Sequence, residues 1–209
     1  MRPILTARVG SNADLFPDIL RLFVPKMSRV LDLTYGRGVF WKKVNKQDWI
    51  LTENDIDPAR GSVHYDFRSL PDAWEGQFDA VIFDPPYLYV GGFHTLKRSL
   101  DRGYRNKERA MAGIYGVAAV DQMYLDGMWQ AHKVLRKRGI LICKCMDQVM
   151  SGEQVWQHIT YHDYGRMLGF KNVDLFVLVS PQTPTMRHPP EQQQHARRNH
   201  SYFLVMRKR

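Results

Sequence analysis

Ala80-Val81-Ile82-Phe83-Asp84-Pro85-Pro86-Tyr87 is the stretch around which the chain is organised. Its four apolar residues read as a buried strand that stops at an acid, two prolines and an aromatic ring. Proline has no N–H and fixes φ, so the strand cannot continue beyond Asp84. What remains is a rigid corner holding a carboxylate, the Pro85 carbonyl and the Tyr87 ring, at a strand's carboxyl end. In α/β proteins ligands bind along that edge.

Upstream, residues 29–33 read as a strand running into Thr34-Tyr35-Gly36-Arg37-Gly38, and residues 39–44 as helical. Residues 49–52 form a second strand ahead of Glu53-Asn54-Asp55-Ile56-Asp57-Pro58. A weak third, residues 63–65, ends at Asp66-Phe67. Strands alternating with helix-like connectors predict parallel βαβ units with right-handed crossovers. Before them, Leu15, Phe16, Ile19, Leu20 and Phe23 recur with helical spacing, with Asn12 or Asp14 as cap, Pro17 in the first turn and Pro25 at the end. Downstream, Asp121 is a candidate cap for a helix carrying Tyr124, Met128, Ala131 and Leu135, closed by Gly139. Residues 140–145, 173–179 and 202–206 read as strands, and residues 151–168 as largely helical. The expectation is an α/β fold in one domain over residues 1–209, with basic insertions at about 88–120 and 181–201.

The 209 residues are 44% hydrophobic, as in a folded globular chain. A net charge of +9 points to an anionic partner, nucleic acid being the usual one. Cys143 and Cys145 sit in an apolar run, two apart, and read as buried thiols in a reducing compartment. No secretory signal or span of about 18 apolar residues is present, which predicts a soluble cytoplasmic protein. His158, His162 and Asp163 lack a third ligand at matching spacing, so no metal is expected.

The strand ends carry the chemistry. Gly36 and Gly38 allow a sharp bend and close approach of a ligand. The turn is not the dinucleotide fingerprint Gly-x-Gly-x-x-Gly, because position 41 is tryptophan. Asp32 beside the bend suits a cationic amino group better than a phosphate. Asp55 can accept both hydroxyls of a ribose, whereas Asp57, preceding Pro58, is equally explained as a turn residue. Asp66 can accept from an adenine amino group, with Phe67 against the ring.

With these residues in place, the chain resembles the class I S-adenosylmethionine-dependent methyltransferases, specifically those that modify exocyclic amines of nucleobases. Asp32 through Gly38 match the Asp-x-Phe-x-Gly-x-Gly cofactor motif, with Thr34 at the usual aromatic position. Asp84-Pro85-Pro86-Tyr87 matches the [Asp/Asn/Ser]-Pro-Pro-[Tyr/Phe/Trp] catalytic motif. The resemblance covers roughly residues 12 to 209. It implies a Rossmann-like methyltransferase fold, a seven-stranded, mostly parallel sheet with an antiparallel last strand. It also implies S-adenosyl-L-methionine as cofactor, held by Asn12, Asp32, Thr34, Gly36, Gly38, Asp55, Asp66 and Phe67. Asp84, Pro85, Pro86 and Tyr87 would form the catalytic corner. Tyrosine at the fourth motif position implies N6 of adenine as target.

The implied partner is nucleic acid, DNA before RNA, and a base in a duplex would have to be flipped out. Lys97, Arg98, Arg102, Arg105, Lys107 and Arg109 can meet phosphates, with Phe93 and Tyr104 to stack; Arg187, Arg197 and Arg198 form a second basic group. No target-recognition domain follows the catalytic half, which keeps an RNA adenine or guanine amino-methyltransferase as the runner-up. A third expectation is a catalytically silent nucleic-acid-binding subunit; such chains lose the glycine turn or the proline corner, and both are intact here.

Overall fold

The computed structural model describes residues 3–86, 116–150, 152–182 and 192–209. In chain order the elements are β1 (Ala7–Val9), α1 (Asn12–Phe23), β2 (Arg29–Asp32), β3 (Ile50–Glu53) and β4 (Phe78–Phe83). There follow α2 (Gly116–Val134), β5 (Leu135–Cys145), β6 (Gln148–Met150), β7 (Glu153–Val155), α3 (Gln157–Met167), β8 (Phe170–Val179) and β9 (His200–Lys208). Seven strands form one sheet in the order β1-β8-β9-β5-β4-β2-β3, and β6 and β7 form a small hairpin. Every pairing in the large sheet is parallel except those of β9, which runs antiparallel to both β5 and β8.

The sheet separates two apolar layers, because successive strand side chains point to opposite faces. Val30, Ala80, Ile82, Ile140 and Ile142 pack under Leu15, Phe16, Ile19 and Leu20 of α1. Leu31, Val81, Phe83, Leu141, Cys143 and Cys145 face the other way, onto Met123, Tyr124 and Met128 of α2 and Tyr161 of α3. Burial pushes both thiols up, which keeps them protonated. No described helix is long and apolar enough to cross a membrane.

Several boundaries differ from the sequence reading, each for a local reason. Ser11, rather than Asn12 or Asp14, precedes the first turn of α1, and Asp14 reaches back to the Ser11 N–H at 2.8 Å. Pro17 lies in the second turn of α1, not the first. Residues 40–43 form a single 3-10 turn instead of a longer helix. Helix α2 is already formed at Gly116, which places Asp121 inside it, where its carboxylate accepts the Tyr161 hydroxyl at 3.0 Å. Val134 ends that helix, and Gly139 belongs to β5. Gly152, at φ +82°, turns the β6–β7 hairpin, so the helix expected from residue 151 begins only at Gln157.

The strand expected at residues 63–65 is reduced to one bridge between Asn54 and Val63, and β1 at the far edge makes up the seven. Asn54 explains the loss. Its fully buried amide accepts the Tyr65 N–H at 2.9 Å and donates to the Tyr65 and Leu33 carbonyls, both at 3.0 Å. One side chain thus replaces a strand partner and ties the ends of β2 and β3 to the segment before Asp66. Asn54→Ala would strand three backbone groups, and unmet buried groups cost about 1–3 kcal/mol each before relaxation. We expect urea unfolding to register a loss of at least about 2 kcal/mol.

Candidate active site

Strand order reverses between β2 and β4: β3 lies outward from one, β5 from the other. A crevice opens outside the carboxyl ends at such a switch point. Here it is a cavity of about 360 Å³, lined among others by Asn12, Asp32, Thr34, Gly36, Asp55, Asp66, Phe67, Asp84 and Pro86. Residues picked from five separate places in the sequence therefore meet in one space. Its size falls in the usual range of about 300–1,000 Å³ for ligand pockets.

At the end of β2, Asp32 is only 3% exposed. It accepts the Trp41 indole N–H at 2.7 Å and the Thr34 N–H at 3.2 Å. Trp41, which rules out a pyrophosphate fingerprint, thus orients the acid. Burial pushes the Asp32 carboxyl up to about 7; the charges of Asp84 and Asp55 add to this, and the two hydrogen bonds oppose it. A cation bound alongside would favour the ionised form. Gly36 adopts φ +57° and donates its N–H to Asp55 at 2.8 Å. Gly38 lies off the cavity wall; at φ +62°, a Cβ there would sit 2.6 Å from the Tyr35 hydroxyl. Its role is to close the turn.

Asp55 also accepts the Asp57 N–H at 2.9 Å, so each carboxylate oxygen already holds one backbone donor. A carboxylate has about four acceptor positions, which leaves room for ligand hydroxyls. Asp57 caps its own turn through the Ala59 N–H and pairs with Arg60, as the turn reading has it. Asp66 is forked by the Arg68 guanidinium at 2.7–3.2 Å. Burial works against its charge, but the Arg68 hydrogen bonds prevail and hold its carboxyl below the usual range. Phe67 sits edge-on to Phe83 at 5.2 Å. Asn12, in the first turn of α1, lines the cavity, and its Oδ1 is buried with no hydrogen-bond partner among the described residues. A buried acceptor of this kind suits a ligand N–H or O–H.

At the end of β4, the Asp84 N–H donates to Thr34 Oγ1 at 2.8 Å. The hydroxyl at the position where an aromatic residue is usual therefore fastens the glycine turn to the proline corner. Pro85 is buried, and Pro86 is on the cavity wall. The Asp84 carboxylate lies 3.3 and 3.4 Å from Lys144 Nζ, a partner 60 residues away that the sequence did not single out. Burial raises the Asp84 carboxyl, and Lys144 opposes the rise.

Tyr87 and the basic stretch with Phe93, Lys97, Arg98, Arg102, Tyr104, Arg105, Lys107 and Arg109 lie outside the described residues, as does Arg187. Arg197 and Arg198 are described and half-exposed in the segment leading into β9, where Arg198 donates to the Ala196 carbonyl. His158 pairs with Asp147 at 2.7 Å and His162 with Asp163 at 3.1 Å.

No family model and no curated protein matches the sequence. Solved structures do match the chain's architecture. TrmN from Thermus thermophilus aligns with a TM-score of 0.52 and 16% identity, over 93% of this chain and 48% of that one. A SAM-dependent methyltransferase from Methanosarcina mazei gives 0.53 and 9%, over 91% and 96%. The 1,6-didemethyltoxoflavin-N1-methyltransferase of Burkholderia thailandensis, solved with S-adenosylhomocysteine, gives 0.55 and 14%, over 95% and 78%. The chain spans about half the length of several structures it matches. At these identities the likeness is one of fold, and the fold is the Rossmann-like methyltransferase architecture.

Proposed function

We propose that this protein is an S-adenosylmethionine-dependent methyltransferase acting on the exocyclic N6 amine of adenine in DNA. The observation that carries the reading is the shared cavity: the Asp84 corner opens onto the same space as Asp32, Asp55 and Asp66. S-adenosyl-L-methionine supplies an electrophilic methyl group on a sulfonium. Its chemistry fits the residues: Asp32 for the cationic amino group, Asp55 for the ribose hydroxyls, Asp66 and Phe67 for the adenine. The Asn12 Oδ1, without a hydrogen-bond partner among the described residues, offers one further acceptor.

An aromatic amine is a poor nucleophile because its lone pair is delocalised into the ring. The Asp84 carboxylate accepts one N–H and the Pro85 carbonyl the other, which favours pyramidal nitrogen with its lone pair directed at the methyl. This is orientation plus electrostatic stabilisation by groups already in place. Bound S-adenosyl-L-methionine would supply the methyl group, its methyl–sulfur bond breaking as the N–C bond forms. The methylated nitrogen is then acidic and gives up its extra proton, so no strong base is required beforehand. Tyr87 stacks on the target base.

The polymer is decided by incubating the protein with methyl-labelled cofactor and either unmethylated duplex DNA or total RNA, then digesting to nucleosides. N6-methyldeoxyadenosine is expected, and label in RNA alone would refute the DNA assignment. Arg102 and Arg105 are assigned to phosphates. Replacing both by glutamine should weaken DNA binding and reduce the slope of log K against log salt by about 2, since each phosphate contact adds roughly 1. An unchanged slope would move the grip elsewhere, with Arg197 and Arg198 the next pair to replace.

A further inference from the structure

Lys144 stands out on the sheet face that packs under α1. Its neighbours on β5 along that face, Ile140 and Ile142, are apolar core residues, and Phe203 is its partner across the ladder. Yet Lys144 is a lysine that is only 5% exposed. Lysine is almost never buried to this degree unless paired, and an apolar residue of similar length would ordinarily serve stability as well or better. A charge at this position therefore answers to something specific. Its Nζ lies 3.3 and 3.4 Å from the two Asp84 oxygens, with the Phe40 ring centroid 5.8 Å away. Its backbone is fixed too: the Tyr124 hydroxyl donates to the Lys144 carbonyl at 2.8 Å, and Tyr124 stacks on Tyr161 at 3.9 Å.

We infer that Lys144 is a positioning residue for methyl transfer: its ammonium keeps the Asp84 carboxylate charged and aimed, ready to accept the substrate's N–H. The inference rests on Asp84 being the acceptor for the amine. A protonated Asp84 would carry an O–H donor on one of its oxygens and lose much of its attraction for the amine's hydrogen. Burial drives Asp84 towards that form, and Lys144 holds it back. Among the described residues, Arg37, Arg60 and Arg68 share the cavity wall with Asp84, but the groups whose charge couples to Asp84 besides Lys144 give no such help. Asp32, from β2, is acidic and can only add negative charge. Cys143 and Cys145 on β5 and Tyr124 on α2 are pushed up by burial and stay neutral. Lys144 does not line the cavity, so its effect on the reaction passes through Asp84.

Two readouts test this on the full chain. In the first, carbon-13 NMR follows the Asp84 carboxyl, assigned with Asp84→Asn, in the wild type and in Lys144→Met and Lys144→Gln. The carboxyl should titrate at least about one pH unit higher in either variant, a unit being a tenfold change in the proton equilibrium. In the second, the acid limb of the kcat profile should move up by a matching amount, so that activity lost at neutral pH returns as pH rises. Lys144→Arg should recover part of the loss at neutral pH, and S-adenosylhomocysteine affinity should hold throughout. An unmoved carboxyl titration, or an acid limb that stays in place while folded Lys144→Met loses activity, would overturn the inference. Full turnover by Asp84→Ala would overturn the underlying reading of Asp84 instead, and the NMR titration would still decide whether Lys144 governs that charge.

Discussion

Asp84→Ala should abolish methyl transfer, by roughly 10²–10³-fold or more, the range seen when a preorganised transition-state contact is removed. Binding of S-adenosylhomocysteine should change little, because Asp32, Asp55, Asp66 and the glycine turn remain. Residual turnover of a tenth of wild type would contradict the role given to Asp84. The variant needs one control. Removing the carboxylate leaves the buried Lys144 ammonium without its Asp84 partner, and breaking a fully buried pair costs about 3–5 kcal/mol, less here because the Asp84 side chain is 25% exposed. Asp84→Ala with Lys144→Met removes both charges. That double variant should regain stability in a denaturant series while transfer stays lost, separating the chemical effect from the folding one.

Cofactor affinity should depend on pH through Asp32. Burial raises this carboxyl to about 7, so below that pH the free protein holds a proton there. A cationic amino group beside Asp32 favours the carboxylate, and binding then expels the proton. Affinity is thus fully present above about pH 7 and falls as pH drops, by at most roughly tenfold per unit. Calorimetry of S-adenosylmethionine binding at pH 6 and pH 8, in buffers of different ionisation enthalpy, reads both the loss and the proton released. Asp32→Asn should bind weakly and with little pH dependence over that range. Wild-type affinity that is flat between pH 6 and 8 would remove the cation from this position.

The candidate site was legible where chemistry and chain position coincide. Asp32, Asp55, Asp66 and Asp84 each follow an apolar run or a turn, and parallel strands carry all such ends to one edge, so four acids far apart in sequence meet in one cavity. What escaped was whatever depends on a distant partner. Lys144 reads as a strand residue like any other until β4 is laid beside β5 and Asp84 comes within reach. Asn54 looks like one more polar loop residue; only the loss of the strand at residues 63–65 shows its amide standing in for a backbone. Strand β1 was passed over because Ala7-Arg8-Val9 is short and has no apolar pattern, its pairing with β8 being a matter of backbone alone. Thr34 was noted as a departure from the usual aromatic. That its hydroxyl receives the Asp84 N–H belongs to the folded geometry.

The central claim is that the Asp84 corner faces the methyl donor. A crystal structure with S-adenosylhomocysteine tests this most directly. The account predicts the ribose hydroxyls on Asp55, the adenine between Asp66 and Phe67, the amino group beside Asp32, and the sulfur turned towards Asp84 and the Pro85 carbonyl. A ligand bound away from the ends of β2 and β4, or seated there with its sulfur directed away from Asp84, would contradict it.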